Sequence, residues 1–95
     1  MTKLSSSDIR MQLQKTPHWK LDEGTIARTF KLKDFYTALL FVNAVGWLAE
    51  AAGHHPDIMI RYNTVELRLN THDAGGITVK DFALAQQIDA LPTIG

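Results

Sequence analysis

One long helical segment, residues 34–53, constrains the fold of this 95-residue chain more than any other feature. Asp34 suits the N-cap of the helix, and Gly53 suits a left-handed residue that ends it. Apolar residues recur between them at the i, i+3, i+4, i+7 spacing of an amphipathic helix: Phe35, Ala38, Leu39, Val42, Val45, Ala49 and Ala52. Such a stripe needs a second layer of structure to cover it.

Further apolar residues lie off this stripe, among them Leu40, Phe41, Trp47 and Leu48. The helix is therefore apolar on more than one side, and one small sheet cannot cover both sides. Two interpretations stay open: these residues form a contact between subunits, or they pack under the first or last helix.

Two segments with period-two alternation flank the long helix. Residues 18–32 alternate on either side of a turn at Gly24, and residues 58–69 alternate on either side of Asn63-Thr64. In the first segment Ile26, Phe30 and Leu32 share one parity, which Arg28 interrupts. Each segment predicts a β-hairpin, because apolar residues on alternate positions give a strand one buried face.

Short helices are predicted at both ends of the chain. Ser5 and Asp8 form a capping pair, and so do Thr78 and Asp81. The last helix carries an apolar stripe: Phe82, Ala85, Ile88 and Leu91. The predicted order is α-β-β-α-β-β-α, in one domain over residues 1–95. We expect an α+β two-layer sandwich, with a four-stranded antiparallel sheet and the helices on one face.

Charge and composition exclude several classes of function. Ten basic and ten acidic residues give zero net charge, so nothing indicates direct nucleic-acid binding. The absence of cysteine excludes disulfides and thiol catalysis. No apolar run approaches the ~18 residues of a membrane span, and the first residues lack the apolar core of a secretory signal. We therefore expect a cytoplasmic protein that makes no membrane contact.

Three of the four histidines fall within residues 54–72. His54 and His55 precede the third strand and His72 follows the fourth, so the second hairpin brings all three to one end of the sheet. The carboxylates that accompany them are Glu50, Asp73 and Asp81. Imidazole titrates near neutrality, and such a cluster is what proton transfer at pH 7 requires. His18 is interpreted as a surface residue outside the cluster.

Other interpretations of these residues are open. Glu50 and His54 are four residues apart, the spacing of a local helical pair, and Asp81 is explained by capping alone. Zinc is a rival ligand, but adjacent histidines on extended backbone point to opposite sides, and no His-x-His spacing occurs. Acid–base chemistry on an organic molecule, with no metal and no cofactor, is the favoured hypothesis.

A longer pattern surrounds the cluster. Its members are Glu50, His54-His55-Pro56, Tyr62-Asn63, Thr71-His72-Asp73, Gly75-Gly76, Thr78, Asp81 and Leu84-Ala85, with Trp19, Arg28, Phe30, Phe35, Ala38 and Phe41-Val42-Asn43 upstream. In this pattern the chain resembles the pterin-4a-carbinolamine dehydratases, from about Leu4 to Leu91. One departure is Ile58, where many members of that family carry tryptophan.

The resemblance implies a reaction and a set of residue roles. The reaction is dehydration of 4a-hydroxytetrahydropterin to quinonoid dihydropterin, which recycles tetrahydrobiopterin for aromatic amino acid hydroxylases. By resemblance, His54 and His72 are acids on the leaving hydroxyl, and Glu50 assists them. The remaining site residues would bind or support the pterin: His55, Tyr62, Asp73 and Asp81. A homodimer or homotetramer is expected.

The same resemblance implies an alternative. Some relatives of this fold serve as dimerisation cofactors for a transcription factor, and others are linked to Rubisco assembly. This chain would then be a binding module that keeps the pocket without the activity.

Overall fold

The computed structural model describes residues 2–92. Within them the elements are α1 (Ser6–Lys15), β1 (Lys20–Asp22), β2 (Thr25–Lys31), α2 (Phe35–Ala52), β3 (Asp57–Arg61), β4 (Thr64–Leu69), a 3-10 turn (His72–Ala74) and α3 (Val79–Asp89). This order confirms the predicted α-β-β-α-β-β-α arrangement and the α+β class.

The four strands form one antiparallel sheet in the order β1-β2-β4-β3. Each predicted hairpin forms, and the pairing of β2 with β4 joins the two. Alternate residues of the central strands are buried in the core: Ile26, Phe30, Val65, Leu67 and Leu69. The helices supply the other side of this core, so the sheet keeps one covered face and one open face.

Helix α2 faces the core with a stripe that differs from the predicted one. Its buried residues are Ala38, Phe41, Val45 and Ala49. Phe41 packs on Phe30 of β2, with 4.7 Å between ring centroids, whereas Phe35 is 49% exposed. Phe41, which lies off the predicted stripe, is therefore part of the core, whereas Ala38, Val45 and Ala49 belong to both stripes. Apolar residues surround this helix, so periodicity allows two overlapping stripes, and contact with the sheet selects one.

The outer side of α2 stays apolar in the single chain. Tyr36, Leu40 and Trp47 are exposed, Trp47 by 72%, while Leu48 packs against the core. Packing within the chain thus accounts for Phe41 and Leu48 but not for Trp47. By length and apolar composition α2 would also be long enough to cross a membrane, a test that the core helix of a soluble protein passes as well.

Arg28, which interrupts the apolar pattern of β2, has a partner on α3. Its guanidinium lies 4.1 Å from the centroid of the Phe30 ring and 2.5 Å from Oδ1 of Asp89. The buried Trp19 indole donates to the same oxygen at 2.8 Å. Asp89 therefore ties the first hairpin to the last helix, and Arg28 can lie on the core side because its charge is paired.

Candidate functional site

Four chain segments meet at one end of the second hairpin. Helix α2 ends at Gly53, whose φ of 62° turns the chain towards β3. A bridge between Thr71 and Gly76 closes the loop that follows β4. The result is an open polar recess of about 520 Å³ lined by Gly53, His54, His55, Asp57, Asn70, Thr71, His72, Asp73 and Lys80. The predicted convergence of the three histidines is confirmed.

His54 is the buried histidine of the recess. Only 9% of the residue is exposed, and its Nε2 lies 2.5 Å from Oδ1 of Asp81 at the start of α3. Within residues 2–92 no hydrogen bond reaches its Nδ1, and no buried polar side-chain atom there lacks a partner. Because every buried polar side-chain atom in this range has a partner and Nδ1 has none, Nδ1 is not buried. It is open to the recess, where it can meet a ligand.

Asp81 is fully buried and has several partners. Its Oδ2 accepts from the backbone N–H of Thr78 and from the hydroxyl of Thr71, each at 2.9 Å. The two threonine hydroxyl oxygens lie 2.7 Å apart. Both halves of the predicted capping box of α3 are present, so capping and the contact with His54 occur together. They are not alternatives, because each uses a different carboxylate oxygen.

Glu50 pairs with His55 and not with His54. Oε2 of Glu50 lies 2.5 Å from Nε2 of His55, and the two side chains are 78% and 64% exposed. The interpretation of Glu50 and His54 as a local helical pair is therefore wrong. The left-handed turn at Gly53 removes His54 from the helical repeat and directs it inward, while His55 stays on the rim.

His72 and Asp73 lie in the 3-10 turn after β4 and line the recess from this separate segment. Both are exposed. Within residues 2–92 neither side chain forms an ion pair. Their groups are thus available to a ligand. Their roles as acid and binding residue stay predictions.

Tyr62 does not join the recess. It lies in the turn between β3 and β4, with φ of 49° and 68% of its surface exposed. The histidines lie at the other end of the same hairpin, so the whole length of β3 separates them. The structure brings the other six predicted site residues to one region but leaves this one apart.

Besides Gly53, four residues that line the recess were not predicted as site residues: Asp57, Asn70, Thr71 and Lys80. Thr71 had a signal, since it directly precedes His72 in the resembling pattern. Lys80 lies beside Asp81 in the first turn of α3. No grouping of three or more His, Asp or Glu side chains that could hold a metal occurs in residues 2–92.

The fold and the recess define a class: a small α+β protein with three histidine side chains on an open polar recess. The chain belongs to the pterin 4 alpha carbinolamine dehydratase family, because the model of that family matches residues 2–91.

Comparison with individual proteins agrees with this membership. A Chloroflexus aurantiacus protein called "Putative pterin-4-alpha-carbinolamine dehydratase" is 57% identical over 91 residues, which cover 96% of this chain and 98% of the relative. A protein of the same description from Acidobacterium capsulatum is 52% identical over 91 residues, covering 96% and 99% of the two chains.

Two solved structures share the fold. One, a transcriptional coactivator/pterin dehydratase from Brucella melitensis, superposes with a TM-score of 0.89 at 33% identity, covering 94% of this chain and 97% of that one. The other is a pterin dehydratase-like protein described as a RuBisCO assembly factor in the alpha-carboxysome. It has a TM-score of 0.63 at 22% identity, covering 81% and 89% of the two chains, and shows the fold alone.

Proposed function

We propose that this chain dehydrates pterin-4a-carbinolamine to quinonoid dihydropterin by histidine acid–base catalysis. The observation that supports this most is the geometry of His54. Asp81 holds one ring nitrogen of His54, which leaves the other open to a recess that His72 also lines. The names of the similar proteins supply the substrate class.

The reaction needs two proton transfers and no electron transfer. The bond from carbon 4a to its hydroxyl oxygen breaks, and that oxygen leaves as water after it receives a proton. A proton departs from a ring nitrogen, and the electron pair of the broken N–H bond forms the new carbon–nitrogen double bond. His54 and His72 reach the recess from different segments, so one can serve the oxygen while the other serves the ring.

The remaining polar groups suit binding of the pterin. Lys80 and Asp73 offer charge and hydrogen bonds on the walls of the recess. His55 lies on the rim, where Glu50 holds its ring. We assign His55 and Asp73 to binding, and Glu50 to orienting His55 and thereby assisting the reaction.

Turnover of pterin-4a-carbinolamine by the purified chain tests the proposal. The substrate would be generated in situ by an aromatic amino acid hydroxylase, and its decay followed by absorbance. We expect acceleration over the uncatalysed decay, and loss of the acceleration when His54 and His72 are both replaced by alanine. A wild-type chain that leaves the decay unchanged would refute the proposed activity.

A second candidate is a partner-binding role. The exposed apolar side of α2 favours it, and so does the description of the Brucella melitensis protein as a coactivator. The two candidates use different surfaces of the chain. Replacing Trp47 with alanine should weaken association and leave pterin turnover largely intact, whereas replacing His54 should do the reverse.

A further inference from the structure

The carboxylate of Asp81 is surrounded by donors. It lies at 0% exposure. An ionised carboxylate only accepts hydrogen bonds, and the three groups that face it are the Thr78 N–H, the Thr71 hydroxyl and Nε2 of His54. Two of these occupy Oδ2, which leaves Oδ1 to the histidine.

The direction of the hydroxyl hydrogen bonds follows from the same contacts. The Thr71 hydroxyl donates to Asp81, so its oxygen accepts the hydrogen of the Thr78 hydroxyl, 2.7 Å away. The Thr78 oxygen in turn accepts from the N–H of Lys80 at 3.2 Å. Each hydroxyl thus donates once and accepts once, in a chain that runs one way.

We propose that Thr71 is a positioning residue for His54 and that it acts through Asp81. The catalytic part of this proposal rests on the function proposed above. The Thr71 hydroxyl and the Thr78 N–H hold Oδ2, which fixes the carboxylate so that Oδ1 faces His54 and accepts from its Nε2–H. Neutral His54 then carries its proton on Nε2 and presents the Nδ1 lone pair to the recess. The result is one tautomer and one ring orientation, as partners of a histidine commonly impose.

The threonine chain is an orienting device and not a path for protons to solvent. Thr78 is fully buried and Thr71 is 9% exposed. The chain ends on a backbone amide, which does not exchange protons during a catalytic cycle. Protons enter and leave at Nδ1 of His54, on the open side of the ring.

Nitrogen-15 NMR of the histidine rings in the wild-type chain tests this without any assay of activity. The spectra would be recorded at alkaline pH, where imidazoles are neutral, and His54 assigned by loss of its signals in His54→Ala. We expect the Nε2-protonated tautomer. A dominant Nδ1-protonated tautomer would overturn the proposal, whatever the chain does to pterins.

Three variants supply the second test. Thr71→Val removes the hydroxyl at similar volume, and Thr71→Ser keeps it. Thr16→Val removes a hydroxyl that is also buried but donates to the backbone carbonyl of Gln12 in α1. In Thr71→Val the Asp81 carboxylate loses one of its two anchors at Oδ2, so we expect broadened or shifted ring-nitrogen signals of His54, because the ring no longer has a single orientation. We also expect kcat to fall on the order of tenfold at nearly unchanged KM, the scale of one hydrogen bond to a charged group.

Thr71→Ser and Thr16→Val should keep the wild-type tautomer and kcat. Wild-type kcat and wild-type His54 ring signals in Thr71→Val would overturn the proposal, and so would a Thr71→Ser variant as impaired as Thr71→Val. If Thr71→Val does not fold, the kcat of Thr71→Ser and the His54 tautomer of the wild-type chain still test the proposal. If the wild-type chain does not turn over pterin, the proposed function fails while the NMR result stands on its own.

Discussion

Nε2 of His54 lies 2.5 Å from Oδ1 of Asp81, although 27 positions separate the two residues in the chain. The contact joins the end of α2 to the start of α3, at the end of the β3–β4 hairpin that lies away from its turn. It divides the three histidines of the recess into one buried and oriented ring and two exposed ones. That division predicts different effects when each is replaced.

The first prediction concerns the histidines. His54→Ala and His72→Ala should mainly lower kcat, since a positioned acid or base contributes ~10²–10⁴-fold. His55→Ala should mainly raise KM, because its ring lies on the exposed rim. The double variant of His54 and His72 should lose far more than either alone. Steady-state kinetics checks this, and an unchanged KM in His55→Ala would contradict the binding role. His18→Ala, outside the recess, is the control.

The second prediction concerns Asp81. Asp81→Asn keeps the shape but replaces one acceptor oxygen with an NH₂ donor, which faces either the donors at Oδ2 or the ring of His54. We expect a loss of about 1–3 kcal/mol in the free energy of unfolding, the cost of an unsatisfied buried group, together with a lower kcat. Urea denaturation measures the first effect. Asp73→Asn, on the exposed 3-10 turn, should leave stability within about 0.5 kcal/mol of wild type.

The third prediction concerns the core contact that helical periodicity missed. Phe41→Ala should destabilise the chain by about 3–5 kcal/mol, because it opens a cavity against Phe30. Phe35→Ala, a matched change in the same helix at a half-exposed position, should cost clearly less. Equal losses in denaturant titrations of the two variants would show that the core-facing stripe is assigned incorrectly.

The fourth prediction concerns assembly. Exposed Trp47 and its apolar neighbours on α2, together with zero net charge, lead us to expect a homodimer or homotetramer. Light scattering at micromolar concentration should give a multiple of the 10.6 kDa chain mass. Trp47→Asp should shift this mass towards that of one chain. A wild-type mass of one chain would rule the assembly out.

The fifth prediction concerns Asp34 and acid stability. The Thr37 N–H, which donates to this N-cap carboxylate at 2.8 Å, lowers the pKa of Asp34 below its ordinary value. A group whose pKa is lower in the folded state stabilises the fold above the unfolded pKa, about 4 for aspartate. That contribution disappears as the pH falls through the lowered value.

Asp34→Asn keeps the capping oxygen but not the charge. Its stability deficit relative to wild type should be present at neutral pH and vanish in strong acid, below the lowered pKa of Asp34, where the wild-type carboxyl is protonated. Asp34→Leu removes the acceptor altogether and should remain weaker at both pH values. Thermal unfolding between neutral and acid pH measures these deficits. A deficit of Asp34→Asn that grows in acid would contradict the lowered pKa of Asp34.

Local sequence determined most of the fold. The period-two segments with short turns specify the two hairpins, and Asp34 and Gly53 specify the ends of α2, because strand alternation and helix capping depend on neighbouring residues alone. Hairpin geometry also sufficed to bring His54, His55 and His72 to one end, since the residues that flank a hairpin must meet.

Tertiary structure decided what local spacing leaves ambiguous. Glu50 is four residues from His54 and five from His55, and only the backbone turn at Gly53 selects the second as its partner. Phe41 is in the core because the sheet contacts that side of an otherwise apolar helix. The pairing of His54 with Asp81, and the buried threonine that supports it, arise from packing between distant segments. No periodicity encodes such a contact, because side-chain direction at a loop depends on the elements that close around it.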